Sequence, residues 1–332
     1  MNRMLFRVDA NKTIGRGHLS RTLALAEMFK DDFEVSFLIA AENKDYCAPL
    51  LADWHTQYIQ DDAHLRTLLT RQDNLWIDGY NFTKEWVAAI KSFVASVIEI
   101  SDLPQDVYGG DVIVNHCPGI SSESYKGINP KTYLLGLKYA MLRPAFLEAA
   151  QQTTSVDLLG EGVFICFGGA DPLGIGYNFA DELLKSGFSS PIYFVAATKD
   201  VSFKNYHPQQ NITVLHNLNQ NQMMQYMQAS KVVVVPTSTL SFEAVALRKP
   251  IFAAYYVDNQ QFIYTGLTQM GLVCGAGYVQ KHNDILNMIK PFNQFYTDMV
   301  KQTEMVTKQI EALDGRSKQR FNAAIKNLSL VA

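Results

Sequence analysis

The sequence predicts an α/β protein built from two doubly wound domains, each a parallel sheet covered by helices. Three observations predict it. Short apolar runs rich in β-branched residues alternate with stretches of helical periodicity along the chain. Between residues 151 and 161 the sequence turns polar (Gln151-Gln152-Thr153-Thr154-Ser155), which reads as a linker, and the alternation then restarts. At 332 residues the chain is long for one core and suits two domains of ordinary size.

In the first half, residues 4–8, 35–40, 75–78, 97–100 and 112–115 read as strands. Residues 18–30, 62–70 and 83–93 read as the helices between them. Leu19, Leu23 and Ala26 recur at helical spacing, the stripe of a helix lying on a sheet. The unbroken run Val112-Ile113-Val114 suits a strand buried on both faces. In the second half, strands are expected at 163–167, 192–196, 212–215, 231–235 and 251–254, with helices at 175–186, 221–229, 241–247 and 260–271. The last forty or so residues look helical, with the polar segment Asp314-Gly315-Arg316-Ser317-Lys318-Gln319-Arg320 towards their end. The organisation so predicted is a Rossmann-like domain at 1–152, a second at 160–290 and a helical extension at 291–332. Ligands of such folds bind at the carboxyl ends of the strands, so two sheets facing across a cleft would put the site between the domains.

Composition narrows the function. An apolar fraction of 48% and a charged fraction of 18% are those of a soluble globular protein. A net charge of −3 makes no case for nucleic acid or an anionic membrane as partner. Cys47, Cys117, Cys166 and Cys274 are scattered, with no Cys-x-x-Cys pair, and Cys166, in a strand-like apolar run, reads as a reduced buried thiol. No secretory leader and no apolar run of the ~18 residues that span a membrane are seen, so a cytoplasmic location is expected. Nothing in the sequence speaks to oligomeric state. No His, Cys and carboxylate grouping has zinc spacing, and His55, His64, His116, His207, His216 and His282 are dispersed, so neither a metal nor another cofactor is expected. No Walker lysine follows a glycine loop, and no Gly-x-Ser-x-Gly elbow is present.

The richest stretch runs from Arg7 to Arg21. An apolar strand enters a polar loop, then Gly15-Arg16-Gly17, then His18 at the start of a helix. The glycines allow close approach of a ligand to the backbone. A helix start presents unpaired N–H groups and partial positive charge, an anion seat. His18 beside it, its charged form disfavoured by the helix dipole, is a candidate base. Position 20 is Ser, so the third glycine of a dinucleotide fingerprint is missing. In the second half, Gly168-Gly169-Ala170-Asp171 is either a further phosphate-facing turn or an ordinary strand-to-helix turn. Ser238 and Thr239 could cap a helix or hold an anion. Glu243 cannot belong to a capping box, because Leu240 stands where Ser or Thr is needed; it could accept a ribose diol. Asp78-Gly79-Tyr80 and Tyr255-Tyr256-Val257-Asp258-Asn259-Gln260 are polar clusters at strand ends.

These motifs together resemble the UDP-sugar hydrolases of pseudaminic acid biosynthesis, two-domain GT-B proteins similar to the glycosyltransferase of the peptidoglycan lipid intermediate. The resemblance rests on Ile14-Gly15-x-Gly17-His18-x-x-Arg21, Asp78-x-Tyr80, Gly136-Leu137-x-Tyr139-x-x-Leu142-Arg143-Pro144, Gly168-Gly169-x-Asp171, Glu243-Ala244, Asn259-Gln260 and Asp314-Gly315-Arg316, in order across nearly the whole chain. Gly79 departs from it where His is common, and Ser101-Asp102 where an acidic pair is common. The resemblance implies a UDP-sugar substrate, His18 as catalytic base, and Tyr80 and Asn259 in the active site. It implies Glu243 on the ribose and the backbone near Gly169, Ala170, Ser238 and Thr239 on the diphosphate. Gly15, Arg16, Gly17 and Gln260 complete the expected substrate contacts. UDP leaves readily, so one base that aims a water is the chemistry still needed, in place of a glycosidase's two carboxylates. A glycosyltransferase on the same scaffold and a non-catalytic nucleotide-sugar sensor are the alternatives.

Overall fold

A computed structural model of the protein describes residues 3–102, 108–153, 155–168, 171–198, 203 and 211–329. Gly169, Ala170 and His207 lie outside the described residues. The elements form two compact units, one comprising residues 1–145 and 316–332, the other 146–315.

Unit 1 is a seven-stranded sheet in the order β3-β2-β1-β4-β5-β6-β7. Its strands are β1 Arg3–Val8, β2 Glu34–Ala40, β3 Thr56–Ile59, β4 Asn74–Asp78, β5 Ser96–Ile100, β6 Val112–Asn115 and β7 Thr132–Leu135, every pair parallel. Its helices include α1 Gly17–Phe29, the single turn α2 Lys44–Cys47, α3 Asp62–Leu68 and α4 Lys84–Lys91. Side chains alternate across the central strands, as a pleat requires. Leu5, Leu75 and Ile77 enter one apolar layer with Leu65 of α3 and Val87 and Ile90 of α4. Phe6, Phe37 and Trp76 face the other way, where Phe6 meets Phe37 at 5.4 Å and Phe29 of α1 meets Trp76 at 5.7 Å.

Unit 2 is a six-stranded parallel sheet in the order β10-β9-β8-β11-β12-β13. After α5 Pro144–Gln152 come β8 Val163–Ile165, α6 Ile175–Lys185, β9 Ile192–Val195, β10 Ile212–Leu215 and α7 Gln220–Ala229. Then follow β11 Val232–Pro236, α8 Thr239–Ala246, β12 Ile251–Tyr255, α9 Asp258–Gln269, β13 Cys274–Tyr278, α10 His282–Thr297 and α11 Met299–Ala312. Phe179, Phe252 and Phe292 form its aromatic centre, with Phe292 5.3 Å from Phe179 and 5.5 Å from Phe252. Buried Arg248, at φ +57°, binds the ends of several helices. Its guanidinium donates to the carbonyls of Ala150 (2.9 Å), Val245 (3.2 Å), Gln309 (2.8 Å) and Leu313 (2.6 Å). These belong to, or directly follow, α5, α8 and α11, whose last carbonyls lack partners within their own helices.

The last helix, α12 Ser317–Ser329, belongs to unit 1 rather than to a separate extension. The reason is Phe321, which packs 6.1 Å from Phe29 and 5.8 Å from Trp76. The expected break at 290/291 falls inside α10, which carries Pro291 within its length. Strands β3, β7 and β13 and helix α5 occupy residues left unassigned in the sequence reading, and α5 takes in Gln151 and Gln152 of the expected linker. Among the described residues no helix is long and apolar enough to cross a membrane.

Candidate active site

In a doubly wound sheet the crevice lies where strand order reverses. In unit 1 that point is between β1, from which β2 and β3 extend one way, and β4, from which β5 to β7 extend the other. The chain leaving β1 turns through Gly15, at φ +85°, whose N–H donates to Asn11 O at 2.8 Å. It enters α1 at Gly17, and no side chain caps the first turn. A Cβ at Gly15 or Gly17 would meet nothing within 4 Å, so the backbone there is open to a ligand. Arg16 holds the N-cap position and its guanidinium lies 5.4 Å over the Tyr46 ring.

His18, in the first turn of α1, is 5% exposed and meets Asp78 at the end of β4, which is 1% exposed. Its Nδ1 lies 2.6 Å from Asp78 Oδ1 and 2.8 Å from Arg21 Nη2. A bare Nδ1 would set two acceptors against each other at 2.6 Å, so the contact with Asp78 assigns the proton to Nδ1. Nε2 is then the acceptor, and it has no hydrogen-bond partner among the described residues. Arg21 donates through Nε to Asp78 Oδ2 at 2.6 Å, and its other nitrogens reach Asp78 Oδ1 and Asp102 Oδ1. Tyr80 donates to Asp102 Oδ2 at 2.7 Å, and its ring stands edge-on to His18 at 4.6 Å.

The electrostatics follow from this packing. Burial works against charge on Arg21, yet Asp102 and Asp78 overcome it and hold the guanidinium above its ordinary value. Burial likewise pushes the Asp102 carboxyl up, but the charge and hydrogen bonds of Arg21 prevail and hold it well below the usual range. Two carboxylates against one guanidinium leave one net negative charge beside the imidazole, able to balance a proton arriving at Nε2. Buried His116, pushed down to about 3 by burial and by the charge of Arg21, stays neutral; its Nδ1 accepts from Met141 N at 3.2 Å. Asp102 follows Ser101, whose Oγ accepts from Tyr125 OH at 3.0 Å, and Tyr125 OH in turn accepts from Asn115 Nδ2 at 2.9 Å. The loop bearing Asp102 is thus tied to β6.

In unit 2 the strand order reverses between β8 and β11. Gly168, at φ +88°, follows β8 with open space where a Cβ would stand. Asp171 caps α6, accepting from the amides of Ile175 (2.8 Å) and Gly176 (2.9 Å), while burial raises its carboxyl above the ordinary value. Ser238 is the N-cap of α8, its Oγ accepting from Leu240 N at 3.4 Å, and Thr239 opens that helix. Glu243 is buried in α8 and Asn259 is exposed in the first turn of α9. Gln260 is engaged by its neighbours: Oε1 accepts from Tyr256 N at 3.2 Å and its carbonyl accepts from Thr237 Oγ1 at 3.0 Å. The ends of β8, β11 and β12, neighbours in the sheet, carry these groups.

The structure brings Gly15, Gly17, His18 and Tyr80 together in unit 1, and Ser238, Thr239, Glu243, Asn259 and Gln260 onto one edge of the sheet in unit 2. Roles for Arg21, Asp78 and Asp102 were not read from the sequence. One signal was available: His18 and Arg21 are three apart, the spacing that puts both on one helix face. Asp102 was marked only as part of Ser101-Asp102, where the resembled family commonly has an acidic pair. Among the described residues no group of His, Cys, Asp and Glu could hold a metal ion.

No family model matches the chain. Over 278 residues, 81% of this chain and 97% of the relative, it is 24% identical to the UDP-2,4-diacetamido-2,4,6-trideoxy-β-L-altropyranose hydrolase of Campylobacter jejuni, the family that its motifs resemble. Among solved structures it is similar to MurG of Acinetobacter baumannii, with TM-score 0.65 and 13% identity over 98% of this chain and 99% of the other. It is also similar to the UDP-GlcNAc 2-epimerase of Neisseria meningitidis, solved with UDP-GlcNAc bound, with TM-score 0.62 and 12% identity over 98% and 100%. At such identities the likeness is one of fold: two Rossmann-like α/β domains of the GT-B type.

Proposed function

We propose that the protein hydrolyses a UDP-linked diacetamido-trideoxy sugar at its anomeric C–O bond, releasing UDP and the free sugar with inversion. The observation that carries this reading is the Asp78–His18 pair, which leaves Nε2 of a buried imidazole bare at the switch point of a sheet. In a single displacement, a water gives a proton to Nε2 as its oxygen bonds to C1. The electrons of the C1–O bond pass to the β-phosphate of UDP. Asp78 orients the ring and balances the imidazolium, as the carboxylate does in hydrolytic triads. Tyr80, held by Asp102, and Asn259 position water and sugar. The backbone of Gly15, Arg16 and Gly17 faces the sugar.

The second unit holds the nucleotide in this reading. The start of α8 at Ser238 and Thr239, together with Gly169 and Ala170, takes the diphosphate, where helix-start amides stabilise the charge that grows as the bond breaks. Glu243 takes the ribose diol and Gln260 supports the segment beside it. The relative from Campylobacter jejuni supports the substrate class. A positioned base is worth ~10²–10⁴-fold. Replacing His18 by Ala should therefore cut UDP release from the UDP-sugar by that factor while UDP still binds. Release at a near wild-type rate would remove His18 as the base.

A further inference from the structure

Unit 1 also contains a cavity of about 340 Å³ to which the reaction just described gives no task. It lies at the carboxyl ends of β1, β2 and β4, lined by Arg7, Asp9, Asn11, Glu42, Phe82 and Trp86 among others. Its size is that of a small-molecule site. Phe82 and Trp86 make an aromatic wall, their rings 5.0 Å apart. The Arg7 guanidinium lies 4.9 Å over the Phe82 ring and donates through Nη1 to Val8 O (3.0 Å) and Asp9 Oδ1 (3.1 Å). Its Nε and Nη2 make no hydrogen bond with any described residue, although the side chain is only 13% exposed. Asn11 gives its Oδ1 to the amides of Thr13 (2.9 Å) and Ile14 (2.8 Å), and its Nδ2 has no partner among the described residues.

Chemistry selects the occupant. Three carboxylates, Asp9, Glu42 and Asp62, line the cavity with one cation, Arg7, so an anion such as a diphosphate is repelled. Unspent donors on Arg7 and Asn11 ask for neutral acceptors such as an amide carbonyl. The carboxylate of Glu42 asks for hydroxyl or amide donors, and the aromatic wall for an apolar ring face. A sugar ring bearing hydroxyl and acetamido groups meets all of these.

The cavity is also tied to the candidate active site. A Cβ at position 79 would stand 2.7 Å from Asp9 Oδ2 and 2.8 Å from the Phe82 ring, so these two wall residues keep their places only beside glycine. Gly79 sits between Asp78, the partner of His18, and Tyr80. Ile14, a further lining residue, lies in the turn that leads into His18.

We infer that this cavity is the sugar subsite, receiving the acetamido-bearing ring against Phe82 and Trp86 with Arg7 and Asn11 as donors; the inference rests on the hydrolase reading for its substrate. The chain has three tryptophans, and Trp86 is the one lining the cavity. Free 2,4-diacetamido-2,4,6-trideoxy-L-altrose, titrated into the full chain, should change tryptophan fluorescence saturably, whereas UDP should not. The change should vanish in Trp86→Phe and need about tenfold more sugar in Phe82→Leu, with thermal melts of both variants verifying the fold. In turnover, Phe82→Leu should raise KM for the UDP-sugar by a similar factor and leave inhibition by UDP unchanged. A sugar response that persists in Trp86→Phe, or an unchanged KM in a folded Phe82→Leu enzyme, overturns the subsite. A sugar that titrates Trp86 in a protein that never releases UDP supports the cavity and defeats the hydrolase reading instead.

Discussion

Replacing Asp78 by Ala tests the heart of the site. In the native protein Asp78 Oδ1, 2.6 Å from His18 Nδ1, keeps the proton there and leaves Nε2 as the acceptor. Once the carboxylate is gone, the nearest polar neighbour of Nδ1 is Arg21 Nη2 at 2.8 Å, which can only donate. Nδ1 then becomes the acceptor, the proton moves to Nε2, and the base is lost although the imidazole remains. The expected fall in kcat is thus nearly that of His18→Ala, ~10²–10⁴-fold, or about 3–5 kcal/mol of barrier. Because both changes remove one function, the double variant should fall no further than His18→Ala alone. Stability should drop by about 3 kcal/mol, since a buried carboxylate leaves Arg21 with Asp102 as its remaining acidic partner. The assay is UDP release at saturating UDP-sugar, well below the melting temperature, with the inhibition constant for UDP as the control for nucleotide binding. An Asp78→Ala enzyme that keeps more than about a tenth of the wild-type kcat, or a double variant showing additive losses, would refute the tautomer argument.

Further outcomes concern unit 2. Arg248→Met should leave the carbonyls of Ala150, Gln309 and Leu313 without their short donor, costing about 3 kcal/mol, read as a melting temperature lower by roughly 6–12 °C; an unchanged melt would show that water replaces the guanidinium. Lys249, buried with its Nζ donating to Leu159 O (2.8 Å) and Gln228 O (3.0 Å), is pushed by burial from 10.5 down to about 8. Between those values the unfolded chain holds a proton that the folded chain has released, so the penalty for burying the ammonium, full below about pH 8, fades as pH rises towards 10.5. Wild type should therefore gain stability over Lys249→Met across that window in denaturant titrations, and parallel curves for the two would contradict the assignment.

What the sequence made legible divides along physical lines. The central strands were readable because burial on both faces demands continuous apolar runs, as in Val112-Ile113-Val114 and Val232–Pro236. The strands not anticipated, β3, β7 and β13, all lie at sheet edges. There one neighbour suffices and half-exposed residues such as Thr56 and Gln57, or glycines such as Gly275 and Gly277, blur the pattern. The site divides in the same way. The glycine turn, the helix start and His18 are contiguous and could be read locally. The partnership with Asp78 depends on β1 and β4 lying side by side, and that with Asp102 on the ends of further strands, which a linear pattern does not record. Tyr80 stood out as a polar strand end, but its hydrogen bond to Asp102 belongs to the folded molecule.

The place of Phe321 also dictates an order of assembly. Its ring completes the aromatic layer around Phe29 and Trp76, yet it emerges from the ribosome only after all of unit 2 has been synthesised. Unit 2 is an uninterrupted stretch that can mature while unit 1 is still open, whereas the aromatic layer between α1 and the sheet of unit 1 waits with a vacant slot until α12 arrives. Unit 1 is therefore the last to be sealed during biosynthesis, and nascent chains should pass through a stage in which unit 2 is already native and unit 1 is still vulnerable to proteolysis.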